Sequence, residues 1–124
     1  RTPRLAAAYA DEFNVPFAQL HDFAPALDHV LRACEAAGRD PETMVRSVAL
    51  VACVGSDEAE LTRRAEAIGR TPDELRTAGI CGLPAEAAEK LAAYREAGAD
   101  RVYLQVLDVR DLEHLDALAA ALMG

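Results

Sequence analysis

The sequence predicts an α/β fold built on parallel, buried strands. Two nearly unbroken apolar runs predict it, SVALVACV at 47–54 and VYLQVL at 102–107. Such runs fit strands covered on both faces better than strands with one wet face. The third observation is that helix-periodic segments separate the strands, most clearly LPAEAAEKLAAYREAG at 83–98, which feeds the second apolar run and makes half of a repeating βα unit.

Taken in order, Thr2 and Pro3 read as an N-cap and a first helical residue. Leu5, Ala6, Tyr9 and Ala10 then offer a packing face, with the helix ending near Asp11. Phe13, Asn14 and Val15, followed by Pro16, fit a brief strand at an edge or rim. From about Asp22 to Ala37, Phe23, Leu27, Val30, Leu31 and Cys34 mark an amphipathic helix that stops at Gly38, with Pro25 in its first turn. Asp40 and Pro41 start one more helical turn before the strand at 47–54. Ser56 opens a helix to about Ile68, whose acidic first turn and later Arg63 and Arg64 complement the helix dipole. Thr71, Pro72, Asp73 and Glu74 form a capping box for a short helix to about Ala78, and 79–82 reads as a loop. Pro84 starts the next helix and Gly98 stops it. Asp111 caps a last helix carrying Leu112, Leu115, Leu118, Ala119 and Leu122.

The chain of 124 residues, 52% of them hydrophobic, is enough for one domain with a real core. A net charge of −8, with thirteen basic residues scattered among twenty-one acids, argues against a nucleic-acid partner. No run approaches the roughly 20 apolar residues of a membrane span. With no signal-peptide layout at the N-terminus, the cytosol is the expected compartment. Cys34, Cys53 and Cys81 are odd in number and lack a CxxC pair, which points to buried thiols rather than a disulfide framework or a zinc site. His21, His29 and His114 are far apart and fit surface or capping roles, and no nucleophile elbow surrounds any cysteine. Asp57 with Glu58 and Asp73 with Glu74 stand at helix starts as dipole partners. The chain begins with Arg1 rather than Met, as expected of a processed, truncated or partial sequence.

Arg1, Thr2 and Arg4 gather two guanidiniums and a hydroxyl at a helix N-terminus, which reads either as an anion site or as an ordinary solvated helix start. Gln105 is the one polar residue of its strand and lies toward the C-terminal end, where parallel α/β folds place their ligands.

Four segments together, RTPRLAAAYADEFNVPF, CEAAGRDPETMVRSVAL, GLPAEAAEKLAAYREAGADRVYLQVLD and DLEHLDALAAAL, resemble the C-terminal part of the luciferase-like monooxygenase superfamily, particularly members that use the deazaflavin coenzyme F420. The resemblance implies the C-terminal portion of a TIM (β/α)8 barrel, about three parallel strands with flanking helices, forming a single partial-barrel domain over 1–124. It implies hydride transfer to or from a small organic substrate, with F420 or FMN as cofactor. It places Arg1, Thr2 and Arg4 at the helix start that approaches the cofactor phosphate, and Asn14 and Gln105 at strand ends facing the mouth. The chain has Gly82-Leu83-Pro84-Ala85-Glu86 where the family usually has Gly-Thr-Pro-Glu-Glu, so a capping hydroxyl is missing. A closed barrel takes about 250 residues. The expectation is therefore a chain incomplete for catalysis by itself, awaiting an N-terminal half. The alternative is a non-catalytic remnant that forms a homo-oligomer through its open sheet edges.

Overall fold

Ten consecutive residues, Val45–Val54, form the strand on which every other strand assembles. The computed structural model describes residues 1–123. Its strands are β1 (Glu12–Pro16), β2 (Val45–Val54), β3 (Ile80–Gly82) and β4 (Arg101–Gln105), and each of the other three pairs in parallel with β2. The helices are α1 (Thr2–Tyr9), α2 (Leu20–Ala36), α3 (Glu58–Ala67), α4 (Pro72–Ala78), α5 (Pro84–Glu96) and α6 (Leu112–Leu122), with a 3₁₀ turn at Pro41–Thr43.

Backbone groups of alternate residues in a strand point to opposite edges, and this assigns the neighbours. The N–H of Val45 donates to Asp11 and the C=O of Ala49 accepts from Phe17, both on the β1 edge. The C=O of Arg46 accepts from Asp100 on the β4 edge, while the N–H of Gly55 donates to Gly82. By this alternation β3 continues the edge that β1 begins, and β4 holds the other edge alone.

The two faces of β2 are buried by different helices. Val48, Leu50, Ala52 and Val54 pack with Phe23 and Leu27 of α2, Ala87 and Tyr94 of α5 and Leu118 of α6. On the opposite face Val51 and Cys53 are covered by Leu61 and Ala65 of α3, Leu75 of α4 and Cys81 of β3. Ala6 and Ala7 of α1 pack on Val30 and Cys34 of α2 and on Met44. Arg39 fixes this corner by donating to the carbonyls of Ala7, at 3.2 Å, and Ala10, at 2.7 Å, at the end of α1.

Several expectations are corrected. The run at 102–107 is not an interior strand: β4 ends at Gln105, pairs only with β2, and leaves Arg101 and Tyr103 exposed. Residues 80–82 form a strand rather than a loop, giving four parallel strands where about three were expected. Gly79 permits that close pairing, because a Cβ there would strike the carbonyl of Val51. α2 begins at Leu20, so Pro25 lies in its second turn, where its missing N–H leaves the carbonyl of His21 without its helical donor. Arg1 rather than Thr2 is the N-cap of α1, and the helix buries Ala6 and Ala7 while Leu5 and Tyr9 stand 52% and 85% exposed. Asp57 rather than Ser56 caps α3, accepting from the N–H of Glu60 at 2.8 Å. Thr71 and Asp111 cap α4 and α6 as predicted. Leu83 stands at the N-cap of α5 with no side-chain cap, the consequence expected of the missing hydroxyl.

Tyr94 joins the layers by an oriented contact as well as by burial. Its ring meets Phe23 edge-on at 5.7 Å, and its hydroxyl donates to the carbonyl of Ala18 at 2.7 Å. Tyr94→Phe keeps the ring but orphans that buried carbonyl, so thermal denaturation should show a loss of about 1–2 kcal/mol. Tyr94→Ala should cost about 3–5 kcal/mol. An unchanged midpoint in the Phe variant would refute the role given to the hydroxyl.

Candidate functional site

One face of the sheet is shared by Glu12, Asn14, Ser47, Arg101, Tyr103 and Gln105, and at the C-terminal end of β2 this face is covered by α3 and α4. At the strands' N-terminal halves this face carries a polar network across three strands. Asn14 Nδ2 donates to Ser47 Oγ at 2.9 Å, and the Ser47 hydroxyl reaches the Glu12 carboxylate. The Tyr103 hydroxyl donates to Glu12 Oε1 at 2.9 Å, and Arg101 donates to Oε2 at 2.9 Å. These bonds, Ser47 first and Tyr103 next, hold the Glu12 carboxyl below its usual range. Polar residues at the N-terminal ends of barrel strands read as stability rather than chemistry.

At the C-terminal end of β2 the arrangement differs. β4 stops opposite Val51, so the N–H and C=O that Val54 turns toward that edge have no strand to meet. His114 Nε2 accepts from the Val54 N–H at 3.0 Å, and Arg64 donates to the Val54 carbonyl at 3.0 Å. Arg64 also donates to Asp111 at 2.8 Å and pairs with Glu60 on its own helix. Arg64 and His114 are buried, and a small cavity of about 10 Å³ lies among Cys53, Arg64, Asp108, Asp111 and His114. Because Nε2 accepts, the imidazole is held neutral, and burial together with the Arg64 charge pushes its pKa down. Arg64 in turn holds the Asp111 carboxyl below the usual range.

The predicted residues fall in separate places. Arg1 and Arg4 line an open cleft of about 550 Å³ with Leu5, Ala8 and Tyr9. Among the described residues neither guanidinium has an ion-pair partner, and the first intrahelical bond is Leu5 N–H to Arg1 C=O, which leaves the amides of Thr2 and Arg4 unused. The end of α1 is tied to Arg39 beside the strands' N-terminal ends, and Arg4 also lines a cleft with Ala33, Ala36 and Ala37 at the end of α2. Asn14 sits in the middle of β1, not at its end, with its amide nitrogen committed to Ser47. Gln105 shares that face but lies opposite Val51, roughly 13 Å farther along β2. The sheet therefore does not bring Asn14 and Gln105 together.

Sequence reading missed the Arg64–Asp111–His114 group, since only the fold brings α3 and α6 to the same strand end. It also missed Phe17, a non-glycine residue with φ 55° and 58% exposed, immediately beyond β1. Its N–H donates to Ala49 at 2.8 Å, which holds a conformation that costs about 1–2 kcal/mol. A proline followed by an apolar residue gives no hint of this.

Solved structures share this architecture. An F420-dependent secondary alcohol dehydrogenase in complex with an F420-acetone adduct is 16% identical, with a TM-score of 0.76 over 98% of this chain and 44% of its own. The chain has the fold of part of a TIM (β/α)8 barrel. This partial barrel is also similar to a coenzyme F420 dependent tetrahydromethanopterin reductase from Methanopyrus kandleri, at 13% identity and TM-score 0.74, covering 98% of this chain and 47% of that one. An EDTA monooxygenase from Chelativorans sp. BNC1 follows at 16% identity and TM-score 0.71, covering 96% and 42%. The partial barrel thus spans less than half the length of each. No protein-family model matches the sequence, and no curated protein matches it. No helix of the described residues is long and apolar enough to cross a membrane.

The buried imidazole yields a pH prediction. Folded His114 binds its proton less readily than the unfolded side chain, whose pKa is near 6.5, so the unfolded state binds more protons. Stability should be level above that value and fall as pH drops below it, by at most about 1.4 kcal/mol per pH unit. Denaturant midpoints between pH 7 and 5 measure the slope, and His114→Gln should flatten it. An equal slope in wild type and variant would contradict the assignment.

Proposed function

We propose that this chain is the C-terminal part of an F420- or flavin-dependent oxidoreductase of the luciferase-like type, which passes a hydride to or from a small organic substrate. One observation carries the reading. Among the described residues, two guanidiniums without an ion-pair partner and the free amides of a helix start line one open cleft, a donor set that suits an anion. A cofactor phosphate fits that set, because planar guanidiniums and backbone N–H groups both donate to its oxygens. When bound, the cofactor supplies the hydride chemistry. Arg1, Thr2 and Arg4 hold the phosphate, and Gln105 offers an amide to the ring or the substrate from the end of β4. Asn14 acts more remotely, keeping Ser47 and Glu12 ordered below them. The similar structures, among them an F420-dependent secondary alcohol dehydrogenase with an F420-acetone adduct and a coenzyme F420 dependent tetrahydromethanopterin reductase, support this class. The remaining strands come from an N-terminal half on the same or another chain.

A titration of FMN, F420 and riboflavin into the chain, followed by ligand fluorescence, tests the phosphate role. FMN and F420 should bind, and Arg4→Ala should weaken both about tenfold, the loss of one charge-assisted contact. Riboflavin, lacking the phosphate, should bind more weakly than FMN and ignore the substitution. Equal affinities for FMN and riboflavin would rule the phosphate site out.

A second reading has its own observation. β1 and β4 each keep a free edge, and Tyr103, Leu107, Val109 and Leu112 stand exposed on or beyond β4. A non-catalytic unit that covers these surfaces with further copies of itself would meet that need. Sedimentation separates the readings, since a monomer at micromolar concentration excludes the oligomer.

A further inference from the structure

We infer that Cys53 and Cys81 form a reactive dithiol that closes to an intramolecular disulfide between β2 and β3. The two residues are direct partners in the parallel ladder, one at the covered end of β2 and the other in the middle of β3. Adjacent strands lie about 4.8 Å apart. That spacing falls inside the roughly 4.4–6.8 Å between Cα atoms that a disulfide requires. Register partners also point their side chains to the same face, and both residues are buried in one apolar cluster. Little backbone movement is needed. β3 is three residues long, with Gly79 before it and Gly82, at φ 131°, at its end.

The two thiols are not equivalent. Contact with the Cys81 thiol, reinforced by the Arg64 charge, lowers the Cys53 pKa, whereas Cys81 keeps its proton and is pushed up. Cys53, which shares the wall of the small cavity with Arg64 while Cys81 does not, is the attacking sulfur and Cys81 the resolving one. The small cavity beside Cys53, with Arg64, Asp111 and His114 in its wall, gives that sulfur a polar approach. Cys34 differs in setting, since it packs in the α1–α2 cluster with Val30 and Met44 and has no thiol partner there.

With hydrogen peroxide as oxidant the step balances. The Cys53 thiolate attacks one peroxide oxygen, the O–O bond breaks, and the departing hydroxide takes a proton to leave as water. The Cys81 sulfur then attacks the Cys53 sulfur, the S–S bond forms as the S–O bond breaks, and the Cys81 proton leaves with the second water. Two thiols are oxidised and one peroxide is reduced to two waters. The bond ties the two ends of the excursion that carries α3 and α4, and with it Arg64, to the sheet.

The test treats the reduced chain with a small excess of hydrogen peroxide under native conditions, followed by intact mass and peptide mapping. The expected product has lost two hydrogens, yields a linked Cys53–Cys81 peptide pair and leaves Cys34 open to alkylation. Its Tm should exceed that of the reduced form by about 10 °C, the effect of closing a loop of this length. Cys53→Ala and Cys81→Ser should each abolish the cross-link while their circular dichroism matches the reduced chain; a variant that does not fold is replaced by the reciprocal substitution at the same site. A link that includes Cys34, a link between chains, thiols that stay free in the native state, or a bond that forms only in denaturant would each overturn the inference.

Discussion

A long strand with short neighbours sets the terms for the whole molecule. β2 presents ten residues of backbone, β1 and β4 each pair with five of them, and the C-terminal end must find partners elsewhere. A buried N–H or C=O left alone costs on the order of 1–3 kcal/mol. One edge is satisfied by β3, and the other by the side chains of Arg64 and His114. The positions of α3 and α6 follow from this need, since each must deliver a side chain to Val54. Asp111 serves both ends of the problem by capping α6 and pairing with Arg64.

The same need explains why charge is buried where it is. A guanidinium with 5% of its side chain exposed is tolerable because two carboxylates and one carbonyl share its donors. The neutral imidazole beside it completes the set without adding a second cation. On the other half of the sheet Ser47 is buried while Arg101 and Tyr103 are exposed, and the Glu12 network stitches β1 to β4 across β2. The two halves of one face thus divide between a sealed strand end and a polar network between strands.

Local sequence carried most of the element assignment. Apolar runs, capping residues and helix-stopping glycines located both main strands and all six helices within a few residues, because each is a short-range property of side-chain size and backbone freedom. The errors lie where an element is too short to show a period, as with Ile80–Gly82, or where burial depends on a neighbour, as with Arg101–Gln105. A near-continuous apolar stretch looks identical whether the strand is central or at an edge. Of the candidate site, Arg1 and Arg4 were legible as charges at a helix start, and Gln105 as the odd polar residue in its strand. Asn14 was legible as a residue but not as a partner of Ser47, thirty-three positions away.

By itself the sequence determined the α/β class and the order of the helices and the longer strands, since periodicity and capping act over a few residues. Only the tertiary structure decided which strand is central, that Cys53 meets Cys81, and that Arg64, Asp111 and His114 converge on Val54. The reason is physical: those contacts join residues tens of positions apart, and they are selected by which backbone groups a parallel ladder leaves unpaired, a quantity that no single segment contains.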